Sequence, residues 1–409
     1  MRILSAVLLV LVCSLSAFGQ VEDEGPFTVS VSYTGDVFTN TNGGTEPGTV
    51  YLDNIDVNLE ANFDDLPFGL SGTTFYIYGL GNQGNSISGL AGDVQGVSNI
   101  EAENSWRIFE FWAQKKFFLA NSSILVGLYD INSEFNALNS SLLFLNSSSG
   151  LDPTLASSGM MGPSTFPYTS LAVRLKVNVF KGLFFQGAVL DGVPSDPGNS
   201  RGTEVLLRED DGLFLIGEIG LHSLKRENMQ MRNRTARLQE ILSPGNGSDN
   251  SIGVGGWYYS SKRERLDGNG IQNEYGMYVL GEYELVKREE GAPNNVQIFG
   301  RAGWANSETN RLSGFYGGGI VMTGLLPSRA KDDTGIAVAH VRGSSTYINN
   351  TMLSSSRPEK AETNIEFTHQ FVVNDYANIQ PNLQYIINPG FDQTLDNSLL
   401  VGVRLNIGF

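Results

Sequence analysis

The amino-acid sequence predicts an all-β fold: a closed antiparallel transmembrane β-barrel of about 16 strands, with a constriction loop folded into its lumen. Three observations support this prediction. Apolar residues occupy every second position in many segments, the number of such segments is even, and the connections between them alternate between long and short. The chain also contains 48 glycines among 409 residues, as expected for a fold with many turns.

The N-terminus is a separate element. A basic residue, Arg2, precedes the apolar run 3–12 and a cleavage site of mostly small residues at 16–19. This pattern is typical of a secretory signal peptide, which we place at residues 1–19. Cys13, the only cysteine, lies inside it, so the exported chain would have no disulfide or thiol chemistry.

Residues 20–409 would form one barrel domain. The last twelve residues, "SLLVGVRLNIGF", show the strand pattern most clearly, because apolar residues alternate with Gly402, Arg404, Asn406 and Gly408. A tilted strand needs about 9–11 residues to cross the hydrocarbon layer of a bilayer. We predict sixteen strands of about this length, near residues 26–35, 52–64, 72–81, 104–118, 121–131, 168–180, 182–190, 212–222, 251–261, 273–286, 295–305, 312–323, 334–342, 361–373, 377–387 and 398–409.

The connections show the asymmetry of outer-membrane barrels, which have long loops on the outer side and tight turns on the periplasmic side. Short turns include Lys181-Gly182 and Asn374-Asp375. One connection departs from the rule: residues 223–250 would be a long insertion on the periplasmic side. The predicted outer loops are 36–51, 82–103, 132–167, 191–211, 262–272, 306–311, 343–360 and 388–397.

Two soluble folds are the alternatives. A β-sandwich also alternates, but it does not need an apolar outer face on nearly every strand, and no fixed-period repeat supports a solenoid. In a membrane every backbone polar group must be paired internally, so a sheet that spans lipid has to close on itself. The sequence therefore favours a barrel surrounded by outer-membrane lipid.

A barrel of about 16 strands encloses an aqueous channel unless something fills it. The longest predicted loop, 132–167, is too apolar for a free extracellular loop, because it contains Phe135, Leu138 and the run "LLFL" at 142–145. We expect a short helix there, followed by a segment that folds into the lumen and constricts it. A cap over the barrel mouth or a contact between subunits is the alternative for this loop.

Several motifs resemble those of the carbohydrate-selective porin family, OprB. They are "GLYDINSEF", "FLNSSSGLDP", "GGWYYS", "ETNIEFTHQFVVNDYANIQPNLQYIINPG" and "GVRLNIGF", and the resemblance is densest from Glu362 to Phe409. It implies passive diffusion of sugars such as glucose through a 16-stranded barrel in the bacterial outer membrane. The terminal Phe409 also resembles the carboxy-terminal signature that the outer-membrane assembly machinery recognises.

A neutral sugar offers hydroxyl groups and apolar C–H faces but no charge. Carboxylates accept hydrogen bonds from its hydroxyls, arginines donate to them, and aromatic rings pack on the C–H faces. Asp130 and Asn132 stand where the constriction loop begins, and Asp56 and Glu60 point inward from an early strand. The other candidates for lining the pore and contacting sugar, selected because they share the inward phase of their strands, are Arg174, Lys176, Glu218, Arg301, Glu366, Gln370, Gln380, Gln384 and Arg404.

Aromatic residues near strand ends or on apolar phases are predicted to form girdles at the membrane interfaces rather than sugar platforms. These are Tyr33, Trp112, Trp257, Tyr258, Tyr275, Tyr283 and Trp304.

Other functional classes find little support. The three histidines are scattered, no Gly-x-Ser-x-Gly elbow occurs, and no His/Cys/Asp spacing suggests a metal, so we predict neither an enzyme nor a cofactor. A net charge of −16 argues against nucleic-acid binding. A general or weakly ion-selective porin and a nonconducting adhesin or structural barrel remain the alternatives. The sequence leaves open whether three barrels assemble into a homotrimer.

Overall fold

The structure is a computed structural model. It describes residues 26–63, 70–117, 122–180, 182–194, 207–222, 250–286, 295–326, 328–351 and 359–409. The predicted signal peptide and residues 223–249 of the predicted insertion lie outside the described residues.

The described residues form a closed antiparallel barrel in which each strand pairs with its neighbours in sequence and β1 pairs with β16. This confirms the predicted closed antiparallel barrel and its sixteen strands. The strands are β1 Phe27–Asn42, β2 Gly48–Asn62, β3 Thr73–Gly84, β4 Ser105–Lys116, β5 Ser123–Tyr129, β6 Ser170–Phe180, β7 Leu183–Asp191, β8 Leu213–His222, β9 Ser251–Glu264, β10 Ile271–Val286, β11 Asn295–Ala305, β12 Leu312–Thr323, β13 Asp333–Gly343, β14 Ala361–Asn374, β15 Ala377–Ile387 and β16 Ser398–Gly408.

The two faces of the barrel have the composition expected of a membrane protein. In β16, Val401 and Val403 are exposed on the outer face, whereas Arg404 and Asn406 are buried on the inner face. β8 alternates in the same way over its whole length. The apolar side chains therefore face outward and the polar side chains face the lumen, as in transmembrane barrels.

The connection between β1 and β2 differs from the prediction. The sequence suggested a loop at 36–51, but β1 extends to Asn42, β2 begins at Gly48, and their register continues as far as Asn40 opposite Gly48. The inward side chains Phe38 and Val50 are buried in a cluster with the helix Ile87–Ala91. This burial stabilises the end of β1 and the start of β2, although their polar composition is typical of a loop.

Short helices lie in the connections. Asn146 and Asp152 accept hydrogen bonds from the backbone N–H groups of Ser148 and Thr154, and so cap two of them. Among the described residues, no helix is both long and apolar enough to cross a membrane. The α-helices are Ile87–Ala91, Ser147–Gly150, Pro153–Ala156 and Ser345–Thr351, and the 3₁₀ helices are Ile131–Ser133, Ser140–Leu143, Glu209–Asp211 and Pro389–Phe391.

Two of the predicted girdle aromatics point inward instead. Trp257 is 3% exposed, because Val254 and Tyr258 occupy the outward phase of β9. Trp112 packs on Tyr76 of the inner face, because a β-bulge in β4 reverses the alternation. The girdle prediction is therefore wrong for these two residues, whereas Tyr258, Tyr275, Tyr283 and Trp304 are exposed on the outer face.

Candidate functional site

The 132–167 segment is bonded to inward-facing carboxylates of the barrel wall. Glu366 on β14 accepts from the backbone N–H groups of Leu145 (2.7 Å) and Asn146 (3.1 Å). Glu218 on β8 accepts from the N–H of Asn136 at 3.0 Å. A buried backbone N–H group left without a partner costs about 1–3 kcal/mol, so these glutamates hold the segment by satisfying its backbone donors.

Arg301 on β11 binds the same segment through its carbonyl groups. Its guanidinium donates to the carbonyl oxygens of Asn136 (2.7 Å) and Ser149 (3.0 Å), and more weakly to those of Ser148 and Gly150 (both 3.3 Å). The five donors of an arginine form a rigid fork, which allows one side chain to satisfy several carbonyls at once. Arg301 is thus occupied by the segment.

The apolar residues of the segment pack against the wall. Phe135, Leu138 and Phe144 are at most 1% exposed, and the ring of Phe144 lies 5.5 Å from that of Phe299 on β11. Burying a large apolar side chain contributes about 1.5–3 kcal/mol. This packing accounts for the apolar composition that distinguishes residues 132–167 from a free loop.

Wall glycines provide the necessary space. A Cβ atom at Gly303 would lie 1.5 Å from Oδ2 of Asp152, and one at Gly335 would lie 2.7 Å from the ring of Phe144. Asp152 itself is completely buried, and burial raises the pKa of its carboxyl group to about 6.

An ion-pair cluster fixes the start of the segment. Glu134 forms an ion pair with Arg174 (2.7 Å) and accepts a hydrogen bond from Lys176 (3.3 Å), both on β6. Burial alone would raise the pKa of Glu134, but the two positive charges outweigh it and lower the pKa to about 2. Asp130 caps the first 3₁₀ helix by accepting from the N–H of Asn132 at 2.8 Å, and Asn132 in turn donates to the carbonyl of Gly150 at 3.1 Å.

A second segment, 93–100 between β3 and β4, also contacts the inner face, and sequence reasoning missed it. Gln384 donates to the carbonyl of Val97 (2.8 Å), and Glu362 accepts from the N–H of Val94 (3.0 Å). Ser98 donates to Asp36 at 2.7 Å, and Asp36 also receives two hydrogen bonds from Arg404, at 2.7 and 2.8 Å. Apolar residues in a nominal loop, such as Val97, were the available sequence signal.

A cavity of about 260 Å³ lies on one side of the lumen, between the two segments and the barrel wall. Four predicted site residues line it: Asp130, Gln370, Gln380 and Arg404. The remaining lining was in part predicted, as for Asp56, and in part missed. Besides Tyr33 and Ile407, which belong to the outward phase of β1 and β16, it consists of Ser32, Thr34, Asn54, Asp56, Asn58, Tyr76, Tyr78, Asn99, Ile100, Phe109, Leu142, Phe166 and Asn406.

The other predicted site residues lie elsewhere on the inner face. Glu218, Arg301 and Glu366 bond to the 132–167 segment, Gln384 bonds to the 93–100 segment, and Arg174 and Lys176 pair with Glu134. The structure thus divides most of the predicted set into side chains that face the cavity and side chains that hold the segments. Gln380 does both, because it also donates to the carbonyl of Leu143 at 2.6 Å.

The family profile described as "Carbohydrate-selective porin, OprB family" matches residues 46–409. This chain belongs to that family. As an OprB-family member it is a porin of the bacterial outer membrane, and the family consists of sugar channels rather than enzymes.

Several known proteins are similar to this chain in sequence or in fold. The chain is 20% identical over 426 residues to Porin B of Pseudomonas aeruginosa, covering 94% of this chain and 88% of Porin B. The high-pH structure of Pseudomonas putida OprB has a TM-score of 0.80 and 19% identity, with 95% of each chain covered. Vibrio cholerae OmpT, in a trimer form, has a TM-score of 0.50 and 9% identity, covering 95% of this chain and all of OmpT. The two solved structures share the barrel fold.

Proposed function

We propose that this porin conducts neutral sugars by passive diffusion, and that they pass through the cavity beside the 132–167 segment. That segment would be the constriction of the channel. The observation that carries the proposal is the lining of the cavity, which combines two carboxylates, a guanidinium and several amides with aromatic rings.

The polar groups of this lining suit hydroxyls and are held in place. Asp56 accepts from Ser32 (2.9 Å) and Tyr78 (2.6 Å), and Arg404 is fixed by its two bonds to Asp36. Side chains that are ordered before a ligand binds reduce the entropy lost on binding. The lining carries charges of both signs, from Asp56, Asp130 and Arg404, so the cavity would select less strongly for one sign of ion than a lining of a single sign would.

The site residues would therefore have two roles. Asp130, Gln370, Gln380 and Arg404 would line the sugar path. The remaining candidates would hold the segments that shape it: Arg174, Lys176, Glu218, Arg301, Glu366, Gln384 and Asn132.

Liposome swelling tests this function. Vesicles that contain the porin should admit glucose faster than gluconate or glucosamine, which are similar in size but charged. Equal rates for all three solutes would favour a general porin, and no swelling would favour a nonconducting adhesin. In planar bilayers, millimolar glucose should reduce the ion current through the open channel.

Export and assembly belong to the same proposal. Residues 1–19 would be removed as a signal peptide, which N-terminal sequencing of the outer-membrane protein can check. Phe409 would be recognised by the assembly machinery; its backbone N–H donates to the carbonyl of Val31 at 2.9 Å, and its ring is 49% exposed. The Phe409→Ala variant should reach the outer membrane in smaller amounts than the original porin.

We also propose a homotrimer. The trimer form of OmpT supports it, and so does a polar cluster on the outer face of β1 and β2, where Tyr51 donates to Asp53 at 2.6 Å and contacts the hydroxyl of Tyr33. A carboxylate and two hydroxyls are better matched by protein than by lipid chains. Light scattering in detergent should give the mass of three chains, and the mass of one chain would exclude the homotrimer.

A further inference from the structure

Aromatic rings form a continuous row on the inner face of β3 and β4. Trp112 stacks on Tyr76 with ring centroids 5.0 Å apart, and Tyr76 lies 6.4 Å from Tyr78. Tyr78 then meets Phe109 at 5.0 Å, and Phe109 meets Phe166 of the 132–167 segment at 6.4 Å. Four of the five rings, all except Trp112, line the cavity.

A β-bulge in β4 builds this row. In the register of β3 and β4, Tyr78 lies opposite Glu110 and Gly79 lies opposite Ile108, so Phe109 is the extra residue. Phe109 and Glu110 are therefore both buried on the inner face, although neighbours in a regular strand would point to opposite faces. The bulge places Phe109 between Tyr78 and Phe166, where an outward residue would otherwise stand.

Both side chains at the bulge have a structural task. The carboxylate of Glu110 accepts from the backbone N–H of Asp130 at 2.8 Å, and so fixes the residue from which the 132–167 segment starts. Phe109 is 2% exposed and packs against two rings that are more accessible, Tyr78 and Phe166. Phe109 thus positions the rings that a solute would touch.

The polar groups of the cavity include Asp56 of β2 and Arg404 of β16. A pyranose ring has matching surfaces, because its hydroxyls project around its rim while its C–H groups form flat apolar faces. An open-chain polyol offers similar hydroxyls but no rigid flat face that could pack against an aromatic ring.

We infer that the row of aromatic rings, Tyr78 and Phe166 supported by Phe109, selects cyclic sugars over open-chain polyols. This inference deepens the proposed sugar-porin function and rests on it. One face of the pyranose packs on Tyr78 and Phe166 while its hydroxyls bind Asp56 and Arg404.

The test compares glucose with sorbitol, a linear polyol of nearly the same mass, in the purified full-length porin. Current block in planar bilayers gives a half-blocking concentration for each solute. Glucose should block at a concentration about two- to tenfold lower than sorbitol, the range expected for contacts with one or two aromatic rings. Phe166→Leu and Tyr78→Leu should each lower this ratio, and the double variant should bring it close to one.

Phe109→Ala should lower the same ratio although Phe109 barely reaches the cavity, because Tyr78 and Phe166 lose their support. The matched control is Phe111→Leu, which alters a ring of the same strand that is 55% exposed on the outer face. This control should keep the original ratio. Heat-modifiable gel mobility verifies that each variant forms a closed barrel.

The possible results distinguish a failure of the selection for cyclic sugars from a failure of the proposed sugar-porin function. Equal block by glucose and sorbitol in the original porin would overturn the selection of cyclic sugars, but the proposed sugar-porin function would stand. A ratio that survives in the folded double variant would overturn the role of the aromatic row. Absence of block and of swelling with either solute would overturn the proposed function itself.

Discussion

The inner face of the barrel has two regions with the same kind of residues and different occupants. On β8, β11 and β14, Glu218, Arg301 and Glu366 are covered by the 132–167 segment and bonded to its backbone. Around β2 and β16, Asp56 and Arg404 border a cavity instead. An inward charged side chain is therefore not always available to a solute. Its role depends on whether a loop segment is already bonded to it.

The largest expected effect is at Arg301. Arg301→Ala removes the donors to several buried carbonyls, and each buried polar group left unpaired costs about 1–3 kcal/mol. The 132–167 segment should detach from the wall, so we expect a channel with a several-fold changed, noisier single-channel conductance and without glucose block. Arg265→Ala is the control, because Arg265 pairs with Asp267 and Glu308 outside the strands. Unchanged conductance in folded Arg301→Ala would contradict the constriction.

Gly303→Ala tests the same contact without removing a charge. The new Cβ would collide with Asp152, whereas the neighbouring Gly300→Ala adds an outward methyl whose nearest contact is 3.9 Å away. The inward variant should change the conductance in the same direction as Arg301→Ala, and the outward variant should not. Equal behaviour of the two variants would show that the wall near Gly303 does not hold the segment.

A substitution in the cavity region should change the block by glucose rather than the conductance of the channel. Asp56→Asn preserves shape but removes the charge that strengthens a hydrogen bond from a sugar hydroxyl. The glucose concentration for half block should rise by about tenfold, while the conductance stays near its original value. The reverse pattern, changed conductance with unchanged glucose block, would assign Asp56 to holding the wall.

The smallest expected effect depends on pH and again concerns the covered region. The pKa of Asp152 is raised by burial to about 6, above its ordinary value near 4. The protonated form therefore favours the docked segment below about pH 4, and this contribution is lost as the pH rises through 6. Channel noise should increase modestly from pH 4 to pH 7, and Asp152→Asn should flatten this dependence. If the channel noise of the original porin did not depend on pH, this role of Asp152 would be contradicted.

The alternation of apolar residues predicted the barrel because one physical rule, lipid outside and water inside, acts on every strand. The rule fails where something local overrides it. The bulge at Phe109 shifts the phase of β4, and the packing of Phe38 on the helix Ile87–Ala91 extends β1 through polar residues. Neither the bulge nor the extension can be predicted from the residues of the strand alone.

The sequence also could not show which inward side chains are covered by a segment and which face the cavity, and the reason is different. Period-two alternation assigns Glu366 and Arg404 to the same face and says nothing of what covers them. The partner that occupies Glu366 is the backbone of Leu145, 221 positions away in the chain. A backbone N–H has no sequence signature, so such contacts become visible only in the folded structure.

The pair between Asp36 and Arg404 joins the first strand to the last, at the seam where β1 and β16 meet. The guanidinium that borders the cavity thus acquires its orientation only when the two ends of the sheet come together. In its proposed role in the sugar path, Arg404 would be correctly oriented only in the closed barrel, so the selection of solutes would arise in the same step that closes the wall.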